Sequence, residues 1–159
     1  MSGGTVHYED LAAGRIFRTG SVEVTAAQIS AFAAQFDPQP FHMDPAAGEG
    51  SVFGGMVASG WLTGAITMRL MVDGEMRLAG GLVGLGIDQI QWPRAVRPGD
   101  RLTAATEVIS MRPSASKPAY GVVKLRTTTT NQDGETVQVL VAHQLVLRQP
   151  VSPPEKARG

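Results

Sequence analysis

Trp61-Leu62-Thr63-Gly64-Ala65-Ile66-Thr67-Met68-Arg69-Leu70-Met71-Val72 is apolar nearly all the way round a helical wheel, with Thr63, Thr67 and Arg69 as its polar interruptions. A helix without a solvated face predicts burial in the middle of a domain. The stretch is too short to span a bilayer and carries Arg69, so it does not read as a membrane segment. Four β-rich runs follow it, Leu82–Trp92, Arg101–Ile109, Tyr120–Thr130 and Thr136–Leu147. They are broken by Pro93 with Arg97-Pro98-Gly99-Asp100, by the stretch from Pro113 to Pro118, and by the tight turn Asn131-Gln132-Asp133-Gly134. Runs joined in this way predict an antiparallel meander, and the alternation in Ile16–Val24 adds a short leading strand. Helices in the first half and strands in the second predict an α+β fold, one sheet of about five strands with the apolar helix against one face. Such a sheet leaves an edge that a second copy of the chain can pair with, so a homodimer is expected.

Upstream, Gly48 to Gly60 holds five glycines in thirteen residues, which predicts a loop that lets another group approach the backbone closely. Ser59-Gly60 then opens the helix. Unpaired amides at a helix N-terminus can hold a carbonyl oxygen that gains negative charge in a reaction, although close packing on a sheet explains the glycines equally well. Four methionines, Met56, Met68, Met71 and Met76, are candidates for a flexible tunnel or for ordinary core filling. Further back lies Phe36-Asp37-Pro38-Gln39-Pro40-Phe41-His42-Met43-Asp44-Pro45. Its three prolines predict a stiff, non-helical loop in which Asp37 and His42 form a candidate acid/base pair, a turn cap and a packed spacer being the structural alternative. Thr25-Ala26-Ala27-Gln28 reads as a capping box that starts a helix through Ile29, Phe32, Ala33 and Phe36 and stops before Pro38. Asp44-Pro45 looks like the cap of one further short turn.

At 159 residues the chain is long enough for one well-filled domain, here residues 1–159 with a core at about 8–148 and a tail expected to be disordered at 149–159. Its 14 basic and 14 acidic residues cancel, leaving no charge footprint for nucleic acid or an anionic membrane. With no cysteine it has neither disulfides nor a thiol nucleophile. Residues 1–10 lack the basic and apolar regions of a secretion signal, so a cytoplasmic protein is expected. His42 and Asp44 are two ligand types without a third nearby, and no metal is expected.

Taken together, the Asp37-x-x-x-x-His42 loop, Met43–Ala47, the run Gly54–Thr63 and the run Gln91–Asp100 resemble the MaoC-like dehydratases, single-hotdog proteins related to the (R)-specific enoyl-CoA hydratases. The similarity spans roughly Tyr8 to Leu147. It implies a sheet wrapped round a central helix, dimers with joined sheets, and a hydratase or dehydratase site for an acyl-CoA thioester. On this resemblance Asp37 and His42 are the catalytic pair and the Gly60 amide is an oxyanion donor. Ser59, Met56 and Gln39 are then substrate- or site-forming residues, Arg94 and Arg97 are candidate contacts of the CoA phosphates, solvated loop charges being the plainer reading of each arginine alone, and no cofactor is needed. Three positions depart from the family pattern: Gln39 replaces a usual asparagine, Ser59 a frequent histidine, and Ala65 a serine used by some hydratases. A thioesterase on the same fold, or a protein that binds acyl thioesters without turnover, remains the alternative.

Overall fold

The computed structural model describes residues 4–151 of the chain. Its one long helix, α4 (Gly60–Asp73), lies against a sheet of five strands: β1 (Ile16–Glu23), β2 (Val83–Gln91), β3 (Arg101–Pro113), β4 (Tyr120–Thr130) and β5 (Thr136–Leu147). Every pairing is antiparallel, in the order β1-β3-β4-β5-β2. This is the α+β hotdog arrangement that the resemblance implies. The simple meander is corrected in one respect: only β3, β4 and β5 follow one another. The strand β2 pairs with β5 at one edge, so residues 92–100 cannot form a hairpin and instead cross to β3, next to the opposite edge. In crossing, this segment is fastened to the loop before α4 (Ala58 N–H to Val96 O, 2.8 Å) and to Val24, just after β1 (Val24 N–H to Asp100 O, 2.8 Å; Gly99 N–H to Val24 O, 2.7 Å).

Strand β3 alternates faithfully, burying Leu102, Ala104, Thr106 and Val108, as a half-covered strand should. Two apolar clusters share α4. Leu62, Ile66 and Leu70 pack with Val24, Ile29, Leu102 and Val137, while Met71 packs with Phe17, Val108, Val123 and Val146. Fully burying one such aliphatic side chain stabilises by about 1.5–3 kcal/mol. Hydroxyls are interleaved with them and satisfied in pairs: Thr106 with Thr127 at 2.8 Å and Thr67 with Thr129 at 2.7 Å.

The expectation that α4 is buried all round fails on one side. Leu62, Thr63, Ile66, Thr67, Leu70 and Met71 face the sheet, whereas Trp61, Ala65, Met68 and Val72 form an exposed apolar stripe at helical spacing. A single sheet covers a single face. The edge strand β2 is equally bare, with Val83, Leu85 and Ile87 exposed.

Helix α1 (Ala26–Phe36) starts at Thr25, whose hydroxyl accepts from the Gln28 N–H at 3.1 Å; the reciprocal half of the capping box is not made among the described residues. The proline loop is not wholly non-helical, contrary to expectation. Pro40–Met43 forms one turn, α2, because proline at a first helical position loses only an N–H that has no intrahelical partner. As expected, Asp44 caps the next turn, α3 (Pro45–Glu49), by accepting from the Ala46 N–H. At the other end, the Gln149 N–H is held by Glu9 at 2.8 Å, so order extends past the expected start of the tail; residues 152–159 lie outside the described residues.

Candidate active site

The C-cap of α1 and the single turn of α2 converge on one cavity. Asp37 is the C-cap of α1, its N–H on the Ala33 carbonyl. Pro38 stops the helix there, and Pro40 starts α2 so that His42, two residues on, turns back toward the carboxylate. His42 Nε2 lies 3.3 Å from Asp37 Oδ2. The imidazole is buried, and its Nδ1 is 2.6 Å from the Val57 carbonyl, which can only accept. Nδ1 therefore carries the proton, and in the neutral ring Nε2 is the acceptor, turned to Asp37 and the cavity. Phe41 packs edge-on to the imidazole at 4.6 Å between centroids and meets Phe53 at 5.2 Å.

Asp37 is held in its charged form. Its carboxyl lies below the ordinary carboxylate range, chiefly because the Gln39 side-chain amide donates to Oδ1 at 2.7 Å, then because the Ser59 hydroxyl bonds to it. Burial opposes the shift, and a protonated His42 ring, with Nε2–H donating and its positive charge close by, would add to it.

Ser59 serves two elements at once. It is fully buried, caps α4 by accepting from the Trp61 N–H at 3.3 Å, and touches Asp37. Gly60 is the first residue of α4, and its N–H has no hydrogen-bond partner among the described residues. Here glycine is required sterically: an added Cβ would come within 2.5 Å of the Trp92 indole, which lies on the helix start. A second close approach fixes the preceding loop, since a Cβ at Gly48 would fall 2.5 Å from the Gly55 backbone.

The cavity measures about 410 Å³ and is lined by Asp37, Gln39, Phe41, His42, Phe53, Val57, Ser59, Gly60, Thr63, Trp92, Arg94 and Val96 among others. Of the residues expected from the sequence, Asp37, Gln39, His42, Ser59, Gly60 and Arg94 are brought together. Met56 is not, because its side chain is buried in the core with Leu62 and Val96. Arg94 stands at the cavity in an ion pair with Glu135 at 2.6 Å, and Arg97 instead donates to the Phe53 carbonyl at 2.6 Å, tying down the glycine-rich loop. Asp44 spends its carboxylate on the α3 cap, and among the described residues no three His, Cys, Asp or Glu side chains gather as metal ligands. His143 pairs with Asp88 outside the cavity.

Sequence reading missed Trp92, Phe41, Phe53 and the Val57 carbonyl. Only Trp92, next to Pro93 at a strand end, carried a signal.

The fold has close counterparts. The MaoC like domain family matches residues 11–131, and the chain belongs to that family. The MaoC-like dehydratase of Rhodospirillum rubrum is 46% identical, with a TM-score of 0.88 over 92% of this chain and 99% of that one. The (R)-hydratase from A. caviae involved in PHA biosynthesis is 27% identical, with a TM-score of 0.68 over 89% of this chain and 99% of that one. The uncharacterized protein YdeM of Bacillus subtilis (strain 168) is 28% identical over 124 residues, 78% of this chain and 86% of YdeM. Among the described residues, no helix is long and apolar enough to cross a membrane.

Proposed function

We propose that the protein is a hydratase or dehydratase of 2-enoyl-CoA thioesters, adding or removing water across the 2,3 double bond. The observation that carries this reading is the facing pair, Asp37 Oδ2 and His42 Nε2 at 3.3 Å, lining the same cavity as the unpartnered Gly60 amide. Family membership and the likeness to an (R)-hydratase support the reaction class.

In the hydration direction one water on the cavity side bridges Asp37 Oδ2 and His42 Nε2, which at 3.3 Å can both reach the same oxygen. Asp37, charged because Gln39 and Ser59 stabilise the carboxylate, accepts one water proton as the oxygen bonds to C3 of the substrate. The π electrons move toward the thioester, whose oxygen gains negative charge and is met by the Gly60 N–H at the positive end of α4. His42 Nε2 helps hold the water, then takes from Asp37 the proton that the carboxylate accepted and delivers it to C2, so water is added without net change at the protein. The thioester itself accepts the electron pair, so the chemistry asks for no cofactor. Arg94, half-exposed at the cavity, is the cation this reading assigns to a CoA phosphate, which would compete with Glu135 for the guanidinium.

The same reading includes a homodimer. The bare β2 edge and the apolar stripe of α4 are surfaces a second copy would cover, joining two sheets edge to edge.

The test is the loss of enoyl absorbance with crotonyl-CoA, with free thiol assayed alongside, for wild type, Asp37→Asn and His42→Ala. Hydration without thiol release, lost in both folded variants, is the expected result. Thiol release would turn the assignment to a thioesterase.

A further inference from the structure

The Trp92 indole is fixed more firmly than a half-exposed side chain at a cavity edge requires. Its N–H donates to Gln138 Oε1 at 3.0 Å. Gln138, on β5 and 0% exposed, passes the connection on: Nε2 donates to Thr67 Oγ1 at 3.3 Å, and the Thr67 and Thr129 hydroxyls are 2.7 Å apart. This chain of bonds runs from the cavity wall to the underside of α4 and into β4. A buried amide is costly unless satisfied, and leucine would fill much the same space beneath the helix. What the glutamine adds is a directional hold on the indole. The ring is also held by its faces and edges, lying where a Gly60 Cβ would be and meeting Trp61 edge-on at 5.4 Å between centroids.

We infer that Trp92 is the wall that limits the site to short-chain 2-enoyl thioesters, and that Gln138 is the positioning residue that holds the wall in place. The inference rests on the hydratase reading above. A thioester oxygen seated on the Gly60 N–H brings the acyl carbons beside the very residue on which the indole lies. A ring anchored at its N–H cannot swing aside for a longer chain without stranding the buried Gln138 oxygen. A short chain meets a flat apolar surface instead.

Kinetics and fluorescence test this together. The ratio of kcat/KM for trans-2-dodecenoyl-CoA to that for crotonyl-CoA is measured in wild type, Trp92→Ala, Trp92→Phe and Gln138→Leu. The chain has two tryptophans, so in a Trp61→Phe background the emission reports on Trp92 alone, with saturated butyryl-CoA as a ligand that cannot react. Wild type is expected to favour crotonyl-CoA, and Trp92→Ala to move the ratio toward the long chain by about tenfold or more, since a single methylene is worth roughly 10–200-fold in an apolar pocket. Gln138→Leu and Trp92→Phe should move it the same way by less, with the Trp92 emission shifted in Gln138→Leu. If wild type hydrates and Trp92→Ala keeps the wild-type ratio, the wall is overturned and the hydratase reading stands. If wild type neither hydrates any enoyl-CoA nor changes emission with butyryl-CoA, the hydratase reading falls and this inference with it. An unchanged ratio and emission in Gln138→Leu overturns its positioning role; should that variant not fold, an unchanged ratio in Trp92→Phe, which lacks the donor, does so.

Discussion

The two sides of the cavity are built by different means. On one side, Asp37, Gln39 and His42 are arranged mainly by bonds between residues two to five positions apart and by two prolines that end one helix and start the next, with Val57 and Ser59 bracing them from the loop before α4. On the other, Trp92 and Arg94 arrive on the segment that crosses from β2 to β3, and their partners, Gln138 and Glu135, lie more than forty residues away in the chain. The mainly local side holds the groups proposed to react, and the long-range side shapes the space beside them. On that proposal, chemistry rests chiefly on local geometry and selectivity on the topology.

If that division holds, the largest effects should come from the local side. Asp37→Asn keeps the Gln39 contact possible but removes the proton acceptor, and kcat should fall by about 10²–10⁴-fold, the usual worth of a positioned acid or base. The unfolding temperature should change little. A loss of folding with no separate loss of activity per folded molecule would instead make Asp37 a structural cap and erase the distinction between the two sides.

Next in size is Gly60→Ala, where the two sides meet. The new methyl overlaps the Trp92 indole, so either the ring leaves the Gln138 bond or the helix start moves. Overpacking of this kind costs about 1–3 kcal/mol, to be read as a lowered melting temperature. Double substitution with Trp92→Ala should recover most of that stability, because the clash has then lost one partner. Failure of the second change to rescue the first would mean that Gly60 answers to something other than the indole.

These contrasts also explain what was legible from the sequence. The pair Asp37 and His42, the caps Thr25 and Asp44, and all five strands are local patterns of periodicity, proline and side-chain type, and they were readable. The α2 turn was missed because three prolines suggest extension, although Pro40 occupies the one helical position that tolerates it. The exposed stripe of α4 was missed because hydrophobicity tells that a face is to be covered but not whether the same chain covers it. Trp92 over Gly60, and Met56 turned into the core, depend on which strand β2 pairs with, and no local pattern carries that.

An intermediate effect is expected at the β2 edge. Ile87 is 57% exposed and flanked by other bare apolar residues, and Ile87→Lys places a charge where a second sheet would join. Size-exclusion chromatography with light scattering should show the mass falling from dimer to monomer. A wild-type chain that is already monomeric at micromolar concentration would break the proposal that this edge is a dimer seam.

The smallest effect should come from Gln39, within the local side itself. Its amide is the main cause of the lowered Asp37 carboxyl, so Gln39→Leu should raise that carboxyl toward the ordinary range, while the Ser59 bond remains and keeps part of the shift. The sign for stability follows from linkage. A group whose folded pKa is depressed stabilises the fold above its unfolded pKa, and that contribution is lost as pH falls through the folded value. Gln39→Leu should therefore be slightly less stable than wild type near neutral pH and indistinguishable from it in strong acid, where Asp37 is protonated in both states. Gln39→Asn, one methylene shorter, should fall between them if its amide still reaches Oδ1. Thermal melts across pH, with the Asp37 carboxyl followed by carbon NMR, check both directions. A carboxyl that moves down in Gln39→Leu would show that the glutamine screens Asp37 from His42 instead of stabilising it, and the local side would then owe its charge to the imidazole and Ser59.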